Sequence, residues 1–295
     1  MSAIRGARER ARAEITAAIK EEAGRQLADQ GSAGLSLRAV ARELGMASSA
    51  LYRYFPSRDD LLTALIIDAY DAVGEAAEQA LAAADAHARD GAAAAAIAGV
   101  RIPGAAPADR WTAVCRAVRG WAVAHPHEYA LIYGSPVPGY AAPQATVGPA
   151  SRVPLTLVSV VRDAHAAGRL NEPTGRPLTE PVRTDLARLA AELAPELPIR
   201  VVAALVAGWA QLFGLLSFEL FGQFNRVVDA RGPFFDHAAL TLAAQVGLEV
   251  DHAADPTDPV KPANPADPET RAAPAAPAAD DSRTGAEAGR VLPAK

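Results

Sequence analysis

Cysteine is almost absent from this 295-residue chain, in which Cys115 is the single example. One cysteine excludes a disulfide framework and a cysteine-rich zinc site, and it fits a reducing compartment. Aromatic residues make up 5% of the chain, and threonine and isoleucine are sparse whereas alanine is abundant. Because alanine favours helices and β-branched and aromatic residues favour strands, the composition predicts an all-α protein.

Long hydrophobic runs are also scarce in the sequence. We expect no membrane span, on the interpretation that no run of about 18 apolar residues is free of both charge and proline. The first twelve residues contain Arg5, Arg8, Arg10 and Arg12, and no apolar core follows them as a secretory signal would require. The expected location is therefore cytoplasmic, with no membrane partner.

Enzyme signatures are also missing. The chain contains no GxGxxG or Walker loop, no HExxH and no GxSxG motif. His125 and His127 flank Pro126 without a nearby cysteine or aspartate, which is a poor zinc site. We therefore predict a protein that is not an enzyme and needs no metal or cofactor, with a helical enzyme of unknown class as a distant alternative.

Charge and composition differ between three parts of the chain, which we call the front (residues 1–60), the body (residues 61–250) and the tail (residues 251–295). The net charge is −5, yet residues 1–60 hold ten Lys and Arg against eight Asp and Glu. Residues 251–295 hold eight prolines, eight acidic and five basic residues, and no aromatic residue. Such a segment cannot bury enough surface to offset its ordering entropy, so we predict a disordered tail, with a partner-binding tail as the alternative.

Helical periodicity dominates the remainder. Ile15, Ile19, Ala23 and Leu27 recur at four-residue spacing and predict a helix over residues 8–30, which Gly31 ends. Proline and glycine enrichment predicts a long loop over residues 134–154, and prolines at 195 and 198 predict a further boundary.

Residues 35–62 carry the most informative pattern. Ser36 is a good N-cap for a short helix with Leu37, Val40, Ala41 and Leu44 at helical spacing. Gly45 suits a tight turn with positive φ and Met46 is predicted to be buried; a second helix is then predicted over 47–55. Pro56 ends that helix, and Ser57 with Asp60 caps a third. Two short helices joined by a glycine turn predict a helix-turn-helix.

The second predicted helix has an outer surface suited to DNA. Its first turn, residues 47–50, is small and polar, Tyr52, Arg53 and Tyr54 follow on the outside, and Leu51 and Phe55 anchor the inside. Small side chains followed by donors and a cation are typical of insertion into the major groove. In the alternative interpretation, the tyrosines are core or interface aromatics of an ordinary helical hairpin.

This segment resembles the TetR family of transcription regulators. The matching elements are Ala41, Gly45, the run 51–55 (Leu-Tyr-Arg-Tyr-Phe), Arg58 and the Asp60-Leu61 pair, with Arg58 replacing the more frequent lysine. The resemblance implies that Tyr52 and Arg58 touch phosphates and that Ser48, Ser49 and Arg53 face base edges or phosphates. Arg53 reads guanine or contacts phosphate, and both options stay open. The full predicted DNA-binding set is Ser36, Arg38, Ala47, Ser48, Ser49, Tyr52, Arg53, Tyr54 and Arg58.

The N-terminal arginines have two open interpretations. Arg5, Arg8, Arg10 and Arg12 form a DNA-binding arm in the minor groove, or they belong to a frayed and solvated terminus.

We predict a DNA-binding domain over residues 8–62 and a helical ligand-binding and dimerisation domain over 63–250. One such DNA-binding domain, which we call the head, contacts only half of an operator. A homodimer on a palindromic double-stranded operator is therefore expected. Apolar helices over 199–225 and 234–250 predict a four-helix interface. Its candidate residues are Leu212, Leu216, Leu220, Phe235, Leu242 and Val246.

A pocket for a small, mostly apolar ligand is expected in the body. The candidates include an aromatic stripe at four-residue spacing; they are Arg119, Trp121, His125, Tyr129, Tyr133, His165 and Trp209. Core packing is the open alternative for the aromatic residues. We predict a repressor that its ligand releases through a helix over 57–83, with a nucleoid-type DNA-binding protein that takes no ligand as the alternative.

Overall fold

The computed structural model describes residues 2–97 and 106–250, with side chains described at 6–31, 34–93 and 106–250. This part of the chain is helical and contains no β-strand, which confirms the all-α prediction. The helices are α1 (Ser2–Gly34), α2 (Leu37–Glu43), α3 (Ser48–Leu51), α4 (Arg58–Ile97), α5 (Pro107–Ala124), α6 (Pro126–Tyr133), α7 (Val147–Ala166), α8 (Glu180–Leu193), α9 (Ile199–Leu220) and α10 (Arg231–Val246). The predicted tail, residues 251–295, lies outside the described residues.

The first three helices and the start of α4 surround one apolar core, which we call the head core. It contains Ile19, Val40, Leu51, Leu61 and Leu62, all fully buried or nearly so. Regular helix in α1 ends at residue 31 as predicted, because Gly31 takes the non-helical φ of 69°. The helix begins at residue 2, earlier than the predicted residue 8.

The turn between α2 and α3 follows the sequence prediction closely. The amide N–H of Ala39 donates to Ser36 Oγ at 3.4 Å, so Ser36 caps α2. Gly45 adopts φ 64°, which a residue with a side chain rarely takes. Met46, predicted to be buried, is half-buried against the head core.

Helix α3 is shorter than predicted. It ends at Leu51 rather than residue 55, and residues 52–54 form turns. The Arg53 amide bonds to the carbonyl of Ala50 at 3.2 Å, and the Tyr54 amide bonds to that of Leu51 at 2.8 Å. Both are hydrogen bonds from an amide to the carbonyl three residues earlier, the tighter pattern that is common where an α-helix ends. Pro56 follows and cannot continue the helix.

Helix α4 links the head to the body without interruption. The Asp60 amide donates to Ser57 Oγ at 3.1 Å, which confirms the predicted cap. The helix runs to Ile97, beyond the predicted residue 83, through an alanine-rich stretch that favours continued helix. Its first turns enter the head core, whereas Val73 and Ala77 are buried in a second core formed by the body helices.

The predicted loop over 134–154 is wrong in its second half. Residues 134–143 are irregular, a short 3₁₀ turn covers 144–146, and α7 then begins at Val147. Pro149 stands in the first turn of α7, where its missing N–H costs little. Pro154 lies inside α7, which continues through it and buries Leu157 and Val160 in the body core.

Helix α9 corrects the expectation about apolar runs. Residues 201–218 contain neither a charged residue nor proline, and by length and composition alone α9 is able to cross a membrane. One face nevertheless packs in the body core, where Leu212 and Leu216 are fully buried and Gly208 lies against Trp111. The helix ends at residue 220 rather than 225, and α10 spans Arg231–Val246 rather than 234–250.

The predicted dimer residues lie inside the single chain. The buried ones are Leu212, Leu216, Phe235, Leu242 and Val246, and Leu220 is half-buried against the same core. Five of these six side chains are buried within their own chain and are not available to a partner, so the structure contradicts them as interface residues, whereas Leu220 stays a prediction. An apolar helix with two apolar faces does not reveal from sequence which face turns inward.

Candidate functional site

The surface of α3 and the turn after it is open to solvent. Ser48, Ser49 and Arg53 are exposed, and Tyr52 is 42% exposed. Leu51 on the opposite side is fully buried in the head core. The head therefore presents small side chains, hydroxyl groups and a cation together, with space for a large partner to approach.

Three residues of the predicted DNA-binding set also hold the head together. Ser36 caps α2, and Arg58 Nε donates to the carbonyl of Leu35 at 3.2 Å, joining α4 to the turn before α2. The ring of Tyr54 packs partly into the head core and lies 5.6 Å from the guanidinium carbon of Arg12. Arg38 and Ala47, the remaining two, are exposed.

A cavity of about 820 Å³ lies between α4, α6, α7 and α9. Five of its lining residues are aromatic, namely Tyr70, Tyr133, Tyr140, Trp209 and Phe213. The rings of Tyr133 and Phe213 are stacked, with centroids 4.1 Å apart. The described residues that line this space include no acidic or basic side chain, so its polar groups are hydroxyls and backbone atoms.

Two phenol groups of this cavity, those of Tyr70 and Tyr133, stay protonated. Burial raises the pKa of Tyr133, and the neighbouring Tyr70 and Tyr129 hydroxyls raise it further. Burial likewise raises the pKa of Tyr70. Within the described residues the Tyr133 hydroxyl makes no hydrogen bond, whereas Tyr70 donates a long one of 3.4 Å to the carbonyl of Ile132. The cavity thus offers neutral hydroxyl groups.

Two of the seven predicted ligand residues, Tyr133 and Trp209, line this cavity. Tyr129 lies behind it, fully buried, where its hydroxyl donates to the carbonyl of Phe213 at 3.0 Å. Trp121 and His125 stack on each other in a separate cleft of about 530 Å³ beside α1. The predicted stripe is broken because α5 ends at residue 124 and Pro126 starts a new helix.

Arg119 and His165 also lie away from the cavity. Arg119 forms a bidentate ion pair with Glu219, with N–O distances of 2.6 and 2.8 Å, and this hydrogen bonding raises the pKa of its guanidinium group. The pair joins α5 to α9, so Arg119 has a structural role. His165 is half-buried near the end of α7. Neither residue is among those that line the cavity, and their role in ligand binding stays a prediction.

The sequence reasoning missed several cavity residues. Tyr70 and Ile66 lie one turn apart on α4, and Phe213 lies one turn after Trp209 on α9. A four-residue spacing was visible in both pairs, but such pairs are equally typical of core packing. Tyr140, which lies within the predicted loop over residues 134–154, also lines the cavity.

The segment 134–143 joins the cavity to the head. Val137 lines the cavity and is also buried in the head core. The hydroxyl oxygen of Tyr140 lies 2.9 Å from Thr63 Oγ1 on α4, just after the two leucines of the head core. One short segment therefore forms part of the cavity wall and part of the head.

Comparison with known proteins identifies both parts of the chain. The family described as "Bacterial regulatory proteins, tetR family" matches residues 19–65. The family described as "Tetracyclin repressor-like, C-terminal domain" matches residues 111–242.

Individual relatives agree with these matches. The HTH-type transcriptional regulator Rv1816 of Mycobacterium tuberculosis (strain ATCC 25618 / H37Rv) is 40% identical over 251 residues, which cover 81% of this chain and 95% of the relative. Mb1846 of Mycobacterium bovis, another HTH-type transcriptional regulator, has the same identity and coverage.

Solved structures extend the similarity to the fold. The crystal structure of regulatory protein SCO4313 is 31% identical, with a TM-score of 0.56, over 80% of this chain and 98% of that one. A tetR-family regulatory protein from Rhodococcus RHA1 shares the fold at 16% identity, with a TM-score of 0.50 and the same coverage. The chain belongs to the TetR family of bacterial HTH-type transcriptional regulators.

Proposed function

We propose that this regulator is a homodimeric repressor that binds a palindromic operator and is released when a small molecule occupies its cavity. The observation that carries the proposal is the exposed surface that Ser48, Ser49, Tyr52 and Arg53 form on the head. Ser48 and Ser49 allow a close approach to DNA, and Tyr52 and Arg53 supply a hydroxyl and a guanidinium group. This combination suits the major groove, with Arg53 able to pair with guanine or with a phosphate.

Two heads are needed because a single helix-turn-helix reads only one half-site. Beyond Arg200 in its first turn, the face of α9 opposite Leu216 is uncharged; Ala203, Ala207 and Gly214 lie on it, followed by Phe218 at 52% exposure. Small residues let helices approach closely, and an exposed phenylalanine is stabilised by burial. We therefore propose that this outer face of α9, together with α10, forms the four-helix interface of the dimer.

The ligand we propose is uncharged, mostly apolar and contains a ring. A ring fits against the stacked pair Tyr133 and Phe213, and a polar group on it can bond to the hydroxyl of Tyr133. A charged ligand would lose its hydration without gaining a counter-ion from the described lining residues, which is costly.

Release of DNA follows from the segment 134–143. A ligand that displaces this segment also shifts Val137, which is buried in the head core, and changes the spacing of the two reading surfaces in the dimer. Couplings of about 1–3 kcal/mol are typical of such linked sites, and DNA must weaken ligand binding by the same factor. The regulator acts by binding alone, without enzymatic activity, in the cytoplasm where it meets the chromosome.

Selection of bound sequences from random DNA tests the proposal. The expected result is an inverted repeat with half-site centres about 34–36 Å apart. Recovery of unrelated sequences with broad coverage would instead fit a nucleoid-type protein and contradict the proposal. The recovered operator then allows a screen of neutral aromatic compounds for those that weaken DNA binding, with a cavity-filling variant such as Ala150→Phe as the unresponsive control.

A further inference from the structure

The N-terminal part of α1 extends beyond the head core. Ile19 is the first fully buried residue of this helix, and residues 7–14 before it are helical and exposed. The family match for the head begins at residue 19, so it does not include this extension. A helix that continues past its own core with its residues exposed has a face open to a partner.

Two arginines continue the inward face of α1 into this extension. At about 100° per residue, Arg8 and Arg12 fall on the same side of the helix as Ile19. The face therefore changes from apolar to cationic where the head core ends. Arg10 falls on the opposite side. None of these three arginines forms an ion pair with any residue that the structure describes.

The contact of Arg12 places this face beside the reading surface. Its guanidinium carbon lies 5.6 Å from the centroid of the Tyr54 ring, within the range of a cation–π contact. Tyr54 directly follows Tyr52 and Arg53, which are exposed at the end of α3. The extension is thereby held next to the surface that we propose enters the major groove.

We propose that the exposed extension of α1 is a second DNA contact, in which Arg8 and Arg12 bind backbone phosphates beside the groove that α3 enters. The inference rests on the proposed function, because it needs DNA at the head. Guanidinium groups bind phosphate through several N–H donors, and such contacts strengthen binding without reading sequence. Double-stranded DNA is the occupant favoured here because the two cations adjoin the reading surface rather than the acidic body.

The salt dependence of operator binding tests this inference. The variant Arg8→Ala/Arg12→Ala is compared with the matched control Arg10→Ala, which removes an arginine charge from the opposite face. The plot of log affinity against log salt concentration should become less steep by about 0.9 for each phosphate that the variant no longer binds, with roughly tenfold weaker binding at low salt. The weakening should be equal on operator and unrelated DNA, and Arg8→Lys/Arg12→Lys should restore most of the affinity.

A tethered probe gives an independent readout. Cys115 is fully buried, so a thiol-reactive iron–EDTA reagent should label Arg8→Cys at the new position alone. Cleavage of operator DNA by this protein, with none from a probe at Arg10→Cys, supports the contact. If wild-type protein selects no operator, the proposed function fails. Wild-type protein selects an operator if the proposed function is right. The second contact alone is then overturned if the double variant has the same salt slope as Arg10→Ala, or if the probe at Arg8→Cys leaves the operator intact.

Discussion

The hydroxyl oxygen of Tyr140 lies 2.9 Å from Thr63 Oγ1, and this bond connects the cavity wall to the helix that leaves the head. Val137, three residues earlier, is buried among the head residues. The segment 134–143 thus has little freedom to move without changing the packing of the head. A ligand that occupies the cavity, as we propose, would contact this segment directly, since Tyr140 and Val137 both line the space.

A double-mutant cycle on this pair measures the connection. Thr63→Val and Tyr140→Phe each remove one hydroxyl, and each should lower the free energy of unfolding by about 1 kcal/mol, as is typical of a hydrogen bond. The double variant should lose less than the sum of the two, with a coupling of about 0.5–1.5 kcal/mol. Urea unfolding checks this. Additive losses would show that the two hydroxyls are not coupled in solution.

The pair should also matter for the response to ligand. Both single variants should bind the operator nearly as well as wild type, because neither residue lies on the exposed reading surface. A compound that weakens wild-type DNA binding should weaken binding by Tyr140→Phe by a smaller factor. An unchanged factor would assign the response to another route.

Arg53 gives the most direct test of the reading surface. Arg53→Ala should weaken binding to the selected operator by about 1–3 kcal/mol, and it should relax the preference at one base pair if the guanidinium group reads guanine. Uniform weakening on every DNA sequence would assign Arg53 to a phosphate. Arg42→Ala is the control, because Arg42 is exposed at the end of α2 and pairs with Glu43. Titration of operator variants distinguishes these results.

The helix-turn-helix was predictable because its signals are local. The N-cap at Ser36, the positive φ at Gly45 and the cap at Ser57 depend on residues within one turn, and all three are confirmed. The C-terminal end of α3 was not predictable. Residues 52–54 form turns with hydrogen bonds to the carbonyl three residues earlier, and such turns are close in energy to a regular α-helix.

The cavity depends on contacts between distant parts of the chain. Tyr133 and Phe213 stack across two helices, and no spacing within either helix reveals that pairing. Pro126 redirects the chain by starting α6, which separates Trp121 from Tyr133 although their spacing fits one helical stripe. Burial is likewise a tertiary property, as the inward position of Leu216 shows.

We expect a glutamate to have different effects on the exposed and the buried face of α9. Phe218→Glu introduces a charge on the exposed face, so the helix content should be retained while the dimer dissociates and operator binding is lost. Leu216→Glu, two residues away, buries the same charge in the core and should destabilise the fold by more than about 4 kcal/mol. Sedimentation and circular dichroism separate the outcomes. A dimer that survives Phe218→Glu with unchanged affinity would place the interface elsewhere.

The thiol of Cys115 should be inert in the folded protein. Burial raises the pKa of Cys115 from its ordinary value of 9.0 to about 12, so almost no thiolate forms at pH 8. A thiol reagent should therefore label the native protein only as fast as it opens, and label it at once in urea. Rapid labelling of the native protein at pH 8 would contradict the buried position.

The same shift makes folding stability depend on alkaline pH. The unfolded chain loses the Cys115 proton near pH 9, whereas the folded chain holds it until about pH 12. The stabilising contribution is therefore complete below pH 9 and falls as the pH rises through this window, by up to about 1.4 kcal/mol per pH unit. Cys115→Ala removes the titrating group, so its free energy of unfolding should fall less steeply than that of wild type between pH 9 and 12. Parallel profiles would show that the thiol titrates alike in both states.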